Sequence, residues 1–263
     1  MCLPIYLAKA LYLYNQAANA YFDAAPAPVQ KILVLDGVTE DTTVEDGYTI
    51  TGTLQGDYKI SIADGATVTL KDVDITCLSN DNATANFAGI TPLGDATIML
   101  EGANTVKGGY EDFPGVFVPV GKTLTIDGTG SLNASSNGYG CGIGGGNDKH
   151  AGNIIINGGT IIATGGEGAA GIGVGGGAQC GDITITGGTV TANGGLDSPG
   201  IGSGGLASCG NITIANTVTS VTATKGGSAP NSIGAGKYGT CGTVTIGGVV
   251  TGSITTSPYT YQP

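Results

Sequence analysis

The feature that most constrains this chain is a self-repeat. Gly171-Ile172-Gly173-Val174-Gly175 recurs as Gly200-Ile201-Gly202-Ser203-Gly204, and Gly142-Ile143-Gly144-Gly145-Gly146 stands the same interval earlier. The column continues at Ser232-Ile233-Gly234-Ala235-Gly236 after a slightly longer step, and runs back through Gly115-Val116 and Gly89-Ile90 by slightly shorter ones. A second column keeps phase with it. Cys180-Gly181-Asp182-Ile183-Thr184-Ile185 matches Cys209-Gly210-Asn211-Ile212-Thr213-Ile214 and Cys241-Gly242-Thr243-Val244-Thr245-Ile246, with Ala151 at the Cys place one repeat before. Leu70, Leu100 and Ile126 align ahead of Ile156, Ile185, Ile214 and Ile246 as one apolar column. A near-constant period in this range marks a repeat architecture in which each unit buries its apolar face only against its neighbours.

Each repeat reads as three short strands. Ile183-Thr184-Ile185-Thr186 is followed by a Gly187-Gly188 corner, Thr189-Val190-Thr191-Ala192 by Gly194-Gly195 and a loop, and Gly200-Ile201-Gly202-Ser203-Gly204 closes the unit. Apolar residues alternate with Thr at period two, the pattern of a half-buried strand. The expected fold is all-β: a single right-handed parallel β-helix of seven or eight turns, stacked about 4.8 Å apart. Lys31 to Ile62 carries the same alternation less regularly, as a terminal turn would, and Ser253 to Pro263 is expected to close the far end. The β-helix domain is therefore placed at 31–263.

Composition agrees with this and narrows function. The 263 residues include 50 Gly, without the every-third period of collagen. There are nine Lys, no Arg and twenty Asp plus Glu, giving a net charge of −11. Such a surface repels phosphate, which argues against nucleic acid as a partner. Fifteen of the twenty acids lie at or before Asp112, so the acidity belongs to the first half.

Residues 1–30 form a separate N-terminal segment of anchor and linker. Leu3, Tyr6, Leu7, Ala10, Leu11, Leu13 and Tyr14 have the spacing of a short amphipathic helix ahead of the Ala- and Pro-rich stretch 24–28. Three readings stand: a helix docking through Tyr6, Leu7, Leu11 and Tyr14 onto other subunits, a secretory signal ending at Ala18-Asn19-Ala20, or a neutral cap. No stretch is long and apolar enough to cross a bilayer as a helix.

Most motifs dissolve into the repeat. G-x-G-x-x-G occurs three times, at Gly140, Gly171 and Gly200, with no helix signal after any of them, so these are corner glycines rather than a nucleotide fingerprint. Cys180, Cys209 and Cys241 occupy one position in successive turns, within reach of a disulfide but awkwardly turned for one, so two readings stand, with a buried column of free thiols the simpler. His150, the single histidine, falls in a loop with no nucleophile elbow to partner it. An outward Thr column, read as Thr69, Met99, Thr125, Ile155, Thr184, Thr213 and Thr245, is interrupted twice and so makes a poor flat array. One constellation rises above this background. Phe87, then Tyr110 and Phe113, then Tyr139 fall in the loops before consecutive Gly-Ile columns, where exposed rings would offer flat faces to sugar or to a partner protein. Glu111 and Asp112 lie among them, with Glu167 and Asp197 further along. Carboxylates in rows can hold Ca²⁺ through oxygen, which makes Glu111 and Asp112 the candidate ligands. No other cofactor is expected.

The runs Lys59–Leu70, Gly121–Leu132 and Gly142–Gly146 resemble the β-helical Gly-rich repeat proteins of gut bacteria, often described as carbohydrate-binding surface proteins, and related phage structural proteins. The resemblance covers roughly residues 32–250. It implies a non-enzymatic structural role: a rigid rod fixed by its N-terminal segment to a larger assembly, such as a phage virion fibre or capsid decoration on the virion surface. The alternative it implies is a secreted or cell-surface bacterial adhesin. Expected partners are other subunits, copies of this chain among them, and surface glycans. Polysaccharide lyases and galacturonases share only the architecture, because their usual Arg base and their paired-Asp, His and basic cluster have no counterpart here.

Overall fold

The computed structural model describes residues 30–76 and 87–263. The docking positions Tyr6, Leu7, Leu11 and Tyr14 lie outside them. The chain divides into two units at Lys31/Ile32, and the second, Ile32–Pro263, is an all-β parallel solenoid. Its three faces follow from the alternation in the sequence. The first face carries strands such as Ala96–Glu101, Thr123–Gly128, Asn153–Ile156, Ile183–Ile185 and Ile212–Ile214. The second carries Ala103–Lys107, Ser131–Ser135, Thr160–Thr164, Thr189–Asn193 and Ser220–Thr224. The third is an eight-stranded sheet running from Thr42–Val44 through Ile143–Gly144, Ile172–Val174 and Ile201–Ser203 to Ile233–Ala235. The only helical element among the described residues is the 3-10 turn Leu35–Gly37.

Six turns are complete in all three faces, fewer than the seven or eight expected, because the terminal turns are abbreviated. At the N-terminal end Thr49 pairs with Thr69, a shorter step along the chain than in the turns that follow, and the register shifts between Thr51 and Gly52. At the C-terminal end the chain doubles back. Val249–Val250 runs antiparallel to Val244–Ile246, Tyr259–Tyr261 runs antiparallel to Ser220–Thr224, and Ile254 bridges Ile233. All three faces thus end on a reversed segment rather than on an open ladder. A fourth short sheet, Gln179–Cys180, Ser208–Cys209 and Thr240–Cys241, appears in three of the later turns.

The Gly-Ile column stacks as the spacing predicts: Ile90 on Val116, then Ile143, Ile172, Ile201 and Ile233, all of them buried. The Cys column stacks likewise. Two aligned columns are displaced by two positions. Ile126 lies beside Ile98, not Leu100, whose partner is Gly128, and Thr125 lies beside Thr97, not Met99. A slip of two keeps a residue on its own face, so the burial pattern in the sequence cannot expose the error. The corrected outward column is Thr67, Thr97, Thr125, Ile155, Thr184, Thr213 and Thr245, broken once, at Ile155.

Turn-to-turn hydrogen bonding explains many of the acids. Carboxylates of Asp36, Asp41, Asp46, Asp64, Asp72 and Asp95 accept the backbone N–H groups of Thr53, Lys59, Thr67, Asp95, Ala103 and Thr123 in the following turn. Asn153, Asp182 and Asn211 continue the device towards the C-terminus, accepting from Asp182, Asn211 and Thr243. These side chains satisfy corner amides that the sheet ladders do not reach. Asn104 does the same inside the core. It is buried, accepts from Val73 N–H and donates to the Glu101 and Ser131 carbonyls, which satisfies a polar group placed in an apolar column.

Candidate functional site

Each third-face strand in the middle and later turns is only two or three positions long, and the loops at its two ends are tied together. Gly140 bridges Gly146, Ala169 bridges Gly175, and Asn147 N–H donates to the Tyr139 carbonyl. Stacked turns therefore raise two columns of loop tips. Both columns line a trough of about 470 Å³. One wall carries Glu111, Asp112, Tyr139, Glu167, Leu196 and Asp197; the other is low, with Asn147, Gly176 and Gly205. The tall wall draws on four successive turns, so the trough runs along the stacking axis for roughly 14 Å at about 4.8 Å per step.

Local sequence holds the tall wall in shape. Ser136 Oγ donates to the Phe113 carbonyl and accepts from Gly138 and Gly140 N–H, which pins the loop that projects Tyr139. Tyr139 N–H in turn donates to the Glu111 carbonyl, and Glu167 N–H to that of Gly138. Glu111 and Asp197 both have a left-handed backbone, φ 63°, a conformation that costs energy in a residue with a side chain and tends to persist at functional sites. Asp197 also has a buried Oδ1 that takes no hydrogen bond, and the neighbouring Ser198 Oγ, wholly buried on the same loop, is likewise unpaired. These are the two buried side-chain polar atoms without a partner among the described residues. A bare buried acceptor is costly and calls for a donor.

The electrostatics are those of crowded acids. Burial raises the Asp112 carboxyl above the ordinary Asp range. The Lys149 ammonium and a hydrogen bond with Asn147 pull it back, while Glu111 and Asp148 push it further up. Lys149 itself sits over the Phe113 ring, 4.9 Å from its centre.

The four aromatic positions thus part company. Tyr139, 44% exposed, lines the trough. Phe113 is half-buried with Lys149 over its ring. Phe87 is half-buried and its carbonyl accepts from Gly109 N–H, and Tyr110 is exposed outside the trough lining. Glu111 and Asp112 both line it, but among the described residues no three His, Cys, Asp or Glu side chains converge as metal ligands would. Leu196 and Asn147 are trough residues that sequence reasoning missed. Leu196 could have been found by counting, since it stands a short way before Ile201 as Tyr139 and Glu167 stand before Ile143 and Ile172.

The thiols form a second cluster. Cys141, Cys180, Cys209 and Cys241 are free. Burial pushes Cys141 far up and Cys180 up to about 12. Within the stacked pair, the hydrogen bond from Cys209 lowers Cys241 and correspondingly raises Cys209. His150 is committed to structure through Nδ1, which accepts Gln179 N–H at 2.9 Å.

Stacked parallel turns, three faces and one continuous apolar core define a β-helical repeat protein. The Beta helix repeat family matches residues 124–147 and 183–205, each of which contains one strand from every face. Comparison with curated proteins and with solved structures gives no match.

Proposed function

We propose that this chain is a non-enzymatic β-helix rod, displayed on a bacterial cell surface or a virion, whose trough binds glycan chains. The observation that carries the reading is the trough itself: about 470 Å³ and four turns long, with Tyr139 and Leu196 exposed among the carboxyl-bearing residues Glu111, Asp112, Glu167 and Asp197. A pyranose has an apolar face ringed by hydroxyl donors. Tyr139 and Leu196 supply an apolar platform for the face, and the wall carboxylates and Asn147 accept from the rim. A trough along the stacking axis suits a linear chain better than a single ring. The stack of turns behind it is a stiff support, which is what a displayed binding edge requires.

The test is a glycan array on the purified chain beside its Tyr139→Ala and Asp197→Asn variants. The wild type is expected to retain a set of linear glycans, and each variant to lose at least about tenfold in affinity. A wild type that retains nothing overturns the binding role, and release of reducing ends from a bound glycan overturns the non-enzymatic one. Anchoring through residues 1–30 into a larger homo-oligomeric assembly belongs to the same proposal. A chain lacking residues 1–30 should fold and bind glycan but fail to incorporate.

A further inference from the structure

The charge of the trough narrows its ligand further than the shape does. The wall carries four carboxylates spread along it, Glu111 and Asp112 on one turn, Glu167 two turns on and Asp197 on the next, and no lysine is among the residues that line it. The two lysines beside it face rings: Lys149 lies over Phe113, and Lys237, whose backbone N–H donates to the Asp197 carbonyl, lies over Tyr238. Asp148 adds a further negative charge at the Asp112 end. An anionic glycan entering here meets like charge on three of the four turns. A neutral glycan meets mainly acceptors, with the Asn147 amide and the Tyr139 hydroxyl as the side-chain donors of the lining. A glycan bearing ammonium groups gains charge-assisted hydrogen bonds and relieves the repulsion that Glu111 and Asp148 exert on Asp112 at the same time.

Spacing favours a sugar over a basic peptide. The wall offers acidic or apolar groups on each of its four turns, Asp112, then Tyr139, then Glu167, then Leu196 with Asp197, at steps of about 4.8 Å. An extended β-1,4-linked pyranose chain advances by a similar distance per ring, so successive rings can meet successive turns. Tyr139 and Leu196 then lie under ring faces while the carboxylates meet the ring substituents. An extended peptide advances about 3.4 Å per residue and falls out of step with the turns.

Resting on the glycan-binding reading of this trough, we propose that its ligand class is a linear aminoglycan with free amino groups, such as β-1,4-linked glucosamine. The test is calorimetry on the full chain with four probes of matched length: the glucosamine tetramer, its fully N-acetylated form, the glucose tetramer and tetralysine. The glucosamine tetramer is expected to bind about tenfold tighter than either neutral sugar, with an advantage that shrinks as salt rises and disappears in Glu167→Gln. Equal binding of the neutral sugars overturns the aminoglycan assignment and leaves the glycan trough standing. Tighter binding of tetralysine than of the glucosamine tetramer overturns it in favour of a basic peptide. No binding of any sugar removes the trough reading itself.

Discussion

The early and late turns of this solenoid solve one stacking problem in two ways, and the third face shows it most directly. At the centre of its successive strands stand Thr43, Ser61, Thr91 and Phe117, and then Gly144, Gly173, Gly202 and Gly234. The early four are ordinary strand residues with side chains. The late four have φ between 123° and 136°, a conformation open to glycine, and a Cβ on Gly144, Gly173 or Gly202 would be driven into the carbonyl oxygen of the next turn. Corners differ as well. The early ones are held by Asp carboxylates, the later ones by Asn153, Asp182 and Asn211. A repeating unit free of bulk can be copied almost unchanged, whereas early turns that carry side chains need individual fitting. This is why the clearest self-similarity in the sequence is in the second half, where the glycine column lies.

The comparison can be broken most sharply by a single methyl group. Gly173→Ala is expected to cost about 4 kcal/mol, the sum of overpacking against backbone and a disfavoured φ, while Thr91→Ala at the matching early place should change stability by less than about 0.5 kcal/mol. Urea unfolding of both variants decides it, and equal effects would show that the two halves stack alike. The core should not share the asymmetry. Ile60→Ala and Ile172→Ala remove wholly buried side chains from the same column, and each is expected to cost about 2–5 kcal/mol in the same experiment. The corners come next. Asp95→Ala and Asn211→Ala each leave a turn-to-turn amide without its acceptor, Thr123 N–H and Thr243 N–H respectively, at about 1–2 kcal/mol. Hydrogen exchange at those two amides should quicken selectively in the corresponding variant.

These contrasts also mark what could be read in advance. The even spacing of Ile143, Ile172 and Ile201 located the third face, because each is forced onto the next by the turn between them. It could not fix Leu100 against Ile126, because a displacement of two preserves inward and outward faces, and in that stretch the repeat length is itself uneven. Glycines such as Gly173 read as corners but prove to be strand centres, since composition shows that a Cβ is excluded without showing what excludes it. The Asp and Asn corner bonds join different turns, across 17 to 32 positions, so no local motif announces them. The trough was legible only as a scatter of aromatics and acids. Its actual membership depends on which side chain each loop projects: Tyr139 is presented by the Ser136 pin, while Phe113 lies under Lys149.

The smallest effect concerns the place where the two styles of turn meet. Asp112 closes the early, acid-rich stretch and faces Asn147 and Lys149 from the loop of the next turn. Burial, with Glu111 and Asp148 beside it, raises its carboxyl above the ordinary Asp value of 3.8 despite the opposing pull of Lys149. A carboxyl whose folded-state affinity for protons exceeds its unfolded one destabilises the fold when it is charged, and that cost fades as pH falls through its raised value towards 3.8. Asp112→Asn should therefore melt slightly above wild type at neutral pH. The gap should close on acidification to below 3.8, where Asp112 is protonated in both states. Melting temperatures from pH 3 to pH 8 test the sign. A variant that melts below wild type at neutral pH, with the deficit closing on acidification, would mean that Lys149 outweighs burial, making this junction an ion pair that stabilises the fold rather than crowded acid that a cationic ligand would relieve.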